Sequence, residues 1–86
     1  MYNVIISKKV AKLLDKLPNN YYQLIVEHLA ELEINPRPFG HIKLAGFSDL
    51  YRIRIGVYRI IYSIEDNILT VEVIKIDHRS RVYKQK

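Results

Sequence analysis

Leu50-Tyr51-Arg52-Ile53-Arg54-Ile55-Gly56-Val57-Tyr58-Arg59-Ile60-Ile61-Tyr62 is the stretch whose reading decides the fold. From Tyr51 to Ile55 apolar and basic side chains alternate, the period of two that marks a strand buried on one face. Gly56-Val57 then makes a compact turn, with the glycine free to take the positive φ that tight hairpins require. Tyr58 to Ile64 reads as the return strand. A two-residue loop sets Ile55 opposite Tyr58, Arg54 opposite Arg59, Ile53 opposite Ile60 and Tyr51 opposite Tyr62. Directly opposed residues share a face, so one side of the hairpin is apolar and the other carries Arg52, Arg54, Arg59 and Ile61. A slip of one residue would reverse every side chain, and burial of the apolar side forbids it.

Downstream, Asp66-Asn67 supplies a turn and Ile68 to Ile76 a last strand. Carried through that turn, the register places Leu69, Val71 and Val73 beside Ile64, Tyr62 and Ile60, and leaves Glu72 as the one acid on the arginine side. Upstream, Tyr2 to Ile6 is a short apolar run, a first strand. Ser7 is placed to cap a helix, and Val10, Leu13, Leu14 and Leu17 follow at helical spacing. Pro18 stops that helix, and Asn19 or Asn20 is placed to cap the next. Its buried stripe is Tyr22, Ile25, Leu29 and Leu32, and Asn35-Pro36-Arg37-Pro38 ends it, because a residue before proline is pushed out of the α region. The order is β-α-α-β-β-β. Segregated helices and strands predict a single α+β domain over residues 1–86, a helical hairpin packed on a mainly antiparallel twisted sheet.

Length and composition limit the chemistry. Eighty-six residues hold one core. The absence of cysteine removes disulfides, thiolate metal sites and a cysteine nucleophile, and fits a cytoplasmic setting. His28, His41 and His78 fall in different elements without metal-ligand spacing, so neither a metal nor a cofactor is expected. Gly40, Gly46 and Gly56 are isolated, so there is no glycine-rich phosphate loop. The first apolar run is too short for a signal peptide and no stretch reaches the length of a membrane span.

Fourteen Lys+Arg against nine Asp+Glu give a formal charge of +5, a balance that favours polyanions or an acidic protein partner. Two arginines opposed across strands repel by up to about 1 kcal/mol, so their clustering makes sense where an anion such as RNA phosphate completes the face. The tail Asp77-His78-Arg79-Ser80-Arg81-Val82-Tyr83 gathers basic, imidazole and phenolic groups. Cleavage of RNA by its own 2′-OH needs a base, an acid and cations for the crowded phosphate. Arg59 and Arg79 can fork onto phosphate oxygens, His78 suits either proton role, and Tyr83 can stack on a base or move a proton.

Taken together, Lys43-Leu44-Ala45-Gly46, the hairpin above and the Ile76 to Tyr83 tail resemble the RelE branch of the RelE/ParE toxin superfamily, over nearly the whole chain. The resemblance implies a type II toxin that cleaves messenger RNA, metal-independent and ribosome-dependent. It puts Arg59 on the phosphate-stabilising arginine, Tyr83 on a catalytic tyrosine, and Arg79 or His78 in the region of a second catalytic basic residue. Arg54 joins this catalytic set, while Arg52, Lys43 and Arg81 are read as RNA or phosphate contacts. Arg52 and Arg54 fall where some members carry lysine, and arginine cannot lose its proton as a lysine can. The proton-transfer duty is therefore expected of His78 or Tyr83. The partners implied are a cognate antitoxin, acidic and partly disordered when free, then messenger RNA and the ribosome, with room for higher-order toxin–antitoxin assemblies and no membrane. Two other readings share the features: a ParE-type toxin that poisons DNA gyrase without cutting RNA, and an RNA-binding module that binds and does not cleave.

Overall fold

The computed structural model describes residues 1–78. The elements run β1 (Asn3–Ile6), α1 (Lys8–Asp15), α2 (Asn19–Ile34), β2 (Ile42–Lys43), β3 (Leu50–Ile55), β4 (Tyr58–Glu65) and β5 (Thr70–His78), with a 3-10 turn at Asp66–Ile68. The strands form one five-stranded sheet in the order β1-β5-β4-β3-β2. Pairing is antiparallel except that β1 lies parallel to β5. The two-residue β2, which the alternation pattern did not reveal, adds a strand to the expected order.

Both helices pack on one face of the sheet. Val10 and Leu14 of α1 and Ile25, Leu29 and Leu32 of α2 meet Ile53, Ile60, Tyr62, Ile64, Val71, Val73 and Ile76 in a single core. Ser7 caps α1 as expected, its Oγ accepting from the Val10 N–H at 3.2 Å. The start of α2 differs. Asn19 and Asn20 are its first residues, Pro18 holds the cap position, and no side chain caps it. A proline ahead of the first turn spares one amide that would lack a partner there.

The β3–β4 pairing is the expected one, with Arg54 opposite Arg59 and Arg52 opposite Ile61. Gly56 has φ +60, and a Cβ built on it would lie 2.9 Å from Tyr21 Cε1. The turn thus needs glycine both for its backbone and for its close seat against the start of α2. Tyr21 in turn packs edge-on against Tyr58, with ring centroids 5.0 Å apart, which fixes the hairpin tip over the helices.

The last strand departs from expectation twice. The turn after β4 is longer than two residues: Leu69 sits in the left-handed region at φ 48, and Glu65 pairs with Thr70. Pairing is therefore displaced by two positions, Ile64 with Val71 and Tyr62 with Val73, and Leu69 is exposed and outside the core. A bulge then falls at Ile74, because Tyr62 pairs with Val73 and its neighbour Ile61 with Lys75. Beyond the bulge Ile76 faces Ile60 and Asp77 faces Arg59. The strand runs on to His78, where an irregular tail had been expected from Asp77.

Candidate functional site

The outer face of β3, β4 and β5 carries the basic cluster. Arg54 is exposed and Arg52 half-buried, while Arg59 is only 6% exposed. All three stand on the face the register gave them, and Arg59 is recessed in it. Burying a guanidinium is costly unless an opposite charge is near. Asp77, 5% exposed, stands directly across from it on β5. Glu72 is accordingly not the sole acid on this face. Asp77 also takes Lys75, with Lys75 Nζ 3.3 Å from Asp77 Oδ2, and its Oδ1 accepts from the His78 backbone N–H at 3.0 Å.

Lys75 and Asp77 are the site residues that sequence reasoning missed. The signal was present: Val73-Ile74 sets two apolar residues side by side in an otherwise alternating strand, as a bulge does. Past that point the alternation resumes in the opposite phase, which sends Lys75 and Asp77 to the arginine side.

The other expected site residues separate. His78 pairs with Tyr58, and its ring packs edge-on against the Tyr58 ring with centroids 5.4 Å apart. Paired residues share a face, so His78 lies on the helix side of the sheet and not beside Arg54 and Arg59. Lys43 pairs with Tyr51, which also puts it on the side away from the arginines. Arg79, Arg81 and Tyr83 lie outside the described residues. The arrangement brings together Arg52, Arg54, Arg59, Lys75 and Asp77. Chemically, such a face can hold a phosphate between arginine forks, with an ammonium and a buried carboxylate alongside.

Comparison with known proteins gives this fold its class, that of small toxins paired with antitoxins. Residues 4–83 match the family model for the ParE toxin of type II toxin–antitoxin systems, parDE. A Methanocaldococcus jannaschii protein that carries the name RelE1 is 35% identical, covering 96% of both chains. A crystal structure of the archaeal RelE–RelB complex from Pyrococcus horikoshii superimposes with a TM-score of 0.83 at 40% identity, covering 93% of this chain and 97% of that one. The isolated Escherichia coli RelE toxin superimposes at 0.79 with 28% identity, covering 99% and 94%. The chain belongs to the ParE toxin family of type II toxin–antitoxin systems. Within the wider RelE/ParE superfamily it is a RelE-like toxin.

Proposed function

We propose that this toxin is a metal-independent endoribonuclease that cuts messenger RNA on the ribosome and so halts translation in the cytoplasm. The observation that carries the reading is the directly opposed Arg54–Arg59 pair, with Arg52 two residues along the same face of β3. Two guanidinium groups forced together across a sheet are stabilised when they share a dianionic transition state, and their forked donors match phosphate oxygens. In this reading the RNA 2′-oxygen attacks the neighbouring phosphorus, and Arg54 and Arg59 stabilise the charge on the non-bridging oxygens. Arg52 and Arg81 steer the RNA backbone, and Arg79 and Tyr83 complete the site from the tail. Lys43 contacts RNA from the edge of the sheet. His78 is held against Tyr58 and does not serve as the base.

A partner protein follows from the relatives. The Pyrococcus horikoshii RelE is in complex with RelB, and the Escherichia coli proteins form a RelBE toxin–antitoxin complex. We assign this chain a cognate antitoxin whose acidic residues cover the arginine face. The matching family model names ParE, which favours one second reading, a toxin that poisons DNA gyrase. Cleavage mapping on ribosome-bound message, run beside a gyrase supercoiling assay, separates the two. Wild type is expected to cut message and leave supercoiling intact. Arg59→Ala is expected to lose at least about a hundredfold in cleavage, the scale of losing one preorganised donor. Uncut message together with blocked supercoiling would establish the gyrase reading instead.

A further inference from the structure

The arginines leave one role of a ribonuclease unfilled on the sheet, because a guanidinium does not give up its proton in a protein. The leaving 5′-oxygen needs one: an alkoxide is a far stronger base than an amine and departs poorly unprotonated. Among the described residues of the outer face, Lys75 is the only lysine. It is also the only cation there able to hand over a proton and remain as a neutral amine.

Its placement suits the task. Arg59 faces Asp77, and Lys75 lies two residues before Asp77 on β5, on the same side. Diagonal neighbours of this kind have backbones about 7–8 Å apart, within reach of long side chains. The Asp77 carboxylate is buried, 3.3 Å from Lys75 Nζ, and stands on β5 at the position paired with Arg59, which anchors the Lys75 side chain on the arginine face. The Lys75 side chain remains 46% exposed, so its ammonium is open to a bound RNA.

We infer that Lys75 is the general acid of this site, positioned by Asp77, and that it protonates the departing 5′-oxygen. The inference rests on the ribonuclease reading above. As O2′ bonds to phosphorus, the P–O5′ bond breaks and its electron pair leaves with O5′, which takes a proton from Lys75 Nζ. The 2′ proton passes to solvent water or hydroxide. The products are a 2′,3′-cyclic phosphate and a 5′-hydroxyl, and the neutral amine regains its proton from water.

The test is a ribosome-bound message cut by Lys75→Met and Lys75→Arg, each on the natural linkage and on one with sulfur in place of the bridging 5′-oxygen. A thiolate leaves without help, since thiols are far more acidic than alcohols. Both variants are expected to cut the oxygen linkage about 10²–10⁴-fold more slowly than wild type, the range of general acid–base catalysis. Both are expected to return to within a few-fold of wild type on the sulfur linkage, whereas Arg59→Ala stays slow on both. Lys75→Arg keeps a cation beside Asp77 and so controls for folding and for charge. Full activity of Lys75→Arg on the oxygen linkage, or no recovery with sulfur, overturns the assignment and leaves the ribonuclease standing. Absence of wild-type cleavage on either linkage overturns the ribonuclease reading itself, and the assignment with it.

Discussion

Tyr62 shows how much a single side chain can carry. It is fully buried, yet its hydroxyl donates to the Pro36 carbonyl at 2.8 Å and so joins the sheet to the segment that ends α2. Its partner Pro36 is buried as well, so Tyr62→Phe leaves a buried carbonyl without its donor. The expected cost is about 1–3 kcal/mol, measured by urea denaturation at neutral pH with an unchanged slope. Burial pushes the Tyr62 phenol up to about 12, above its ordinary value near 10. A folded-state value above the unfolded one means the neutral phenol contributes its full stability below about pH 10. That contribution is lost as pH climbs toward about 12, when the unfolded chain ionises first. The wild-type advantage over Tyr62→Phe should therefore shrink across that interval. At this scale the sequence was informative for Gly56, whose turn follows from its neighbours. It was silent on Leu69, since nothing about leucine announces a left-handed backbone.

At the scale of the element, β5 is where local pattern and final structure part. The bulge at Ile74 absorbs one residue, so that Lys75 and Asp77 join the arginines while Ile76 returns to the core. Deleting Ile74 leaves Val73-Lys75-Ile76-Asp77 in simple alternation opposite Tyr62-Ile61-Ile60-Arg59. That variant is expected to fold with a midpoint near wild type. Deleting Ile76 instead forces Lys75 or Asp77 into the core, at a cost of several kcal/mol. Thermal melts of the two deletions, followed by circular dichroism, check the contrast; equal damage from both would mean that the bulge itself is required. The helices were more legible than this strand. Their stripes are set by a 3.6-residue period over many turns, and Val10, Leu14, Ile25, Leu29 and Leu32 are buried as the spacing demands.

Across the whole molecule, a cluster at the end of the sheet away from the hairpin tip ties four distant segments together. Arg37 makes two bonds to Asp66, at 2.9 and 3.2 Å, the Tyr2 hydroxyl donates to Asp66 at 2.6 Å, and the guanidinium lies 5.3 Å from the Tyr51 ring centre. The hydrogen bonds from Arg37 first, and then from Tyr2, hold the Asp66 carboxyl down to about 2. A depressed value stabilises the fold above the ordinary carboxylate range, and that contribution disappears as pH falls from about 4 to about 2. Asp66 is 53% exposed, so solvent screens the effect and it should be small. Asp66→Asn is expected to lower the melting temperature slightly at pH 7 and to converge on wild type near pH 2. A constant difference across that range would rule out the ionised pair as its source.

The hairpin register, and with it the opposed Arg54 and Arg59, was determined by the sequence alone. Alternation and a two-residue turn are local, and the positive φ of that turn already calls for a glycine. The same holds for the two helical stripes and for the segregated α+β order. Tertiary structure alone decided the site's other half. It set β1 parallel to β5 across nearly the full length of the chain and recessed Arg59 behind the exposed Arg54. It also turned Asp77 and Lys75 toward the arginines and His78 away from them. Those outcomes depend on where a bulge and a longer turn let β5 match both β4 and the core, a balance of packing that no short stretch of sequence contains.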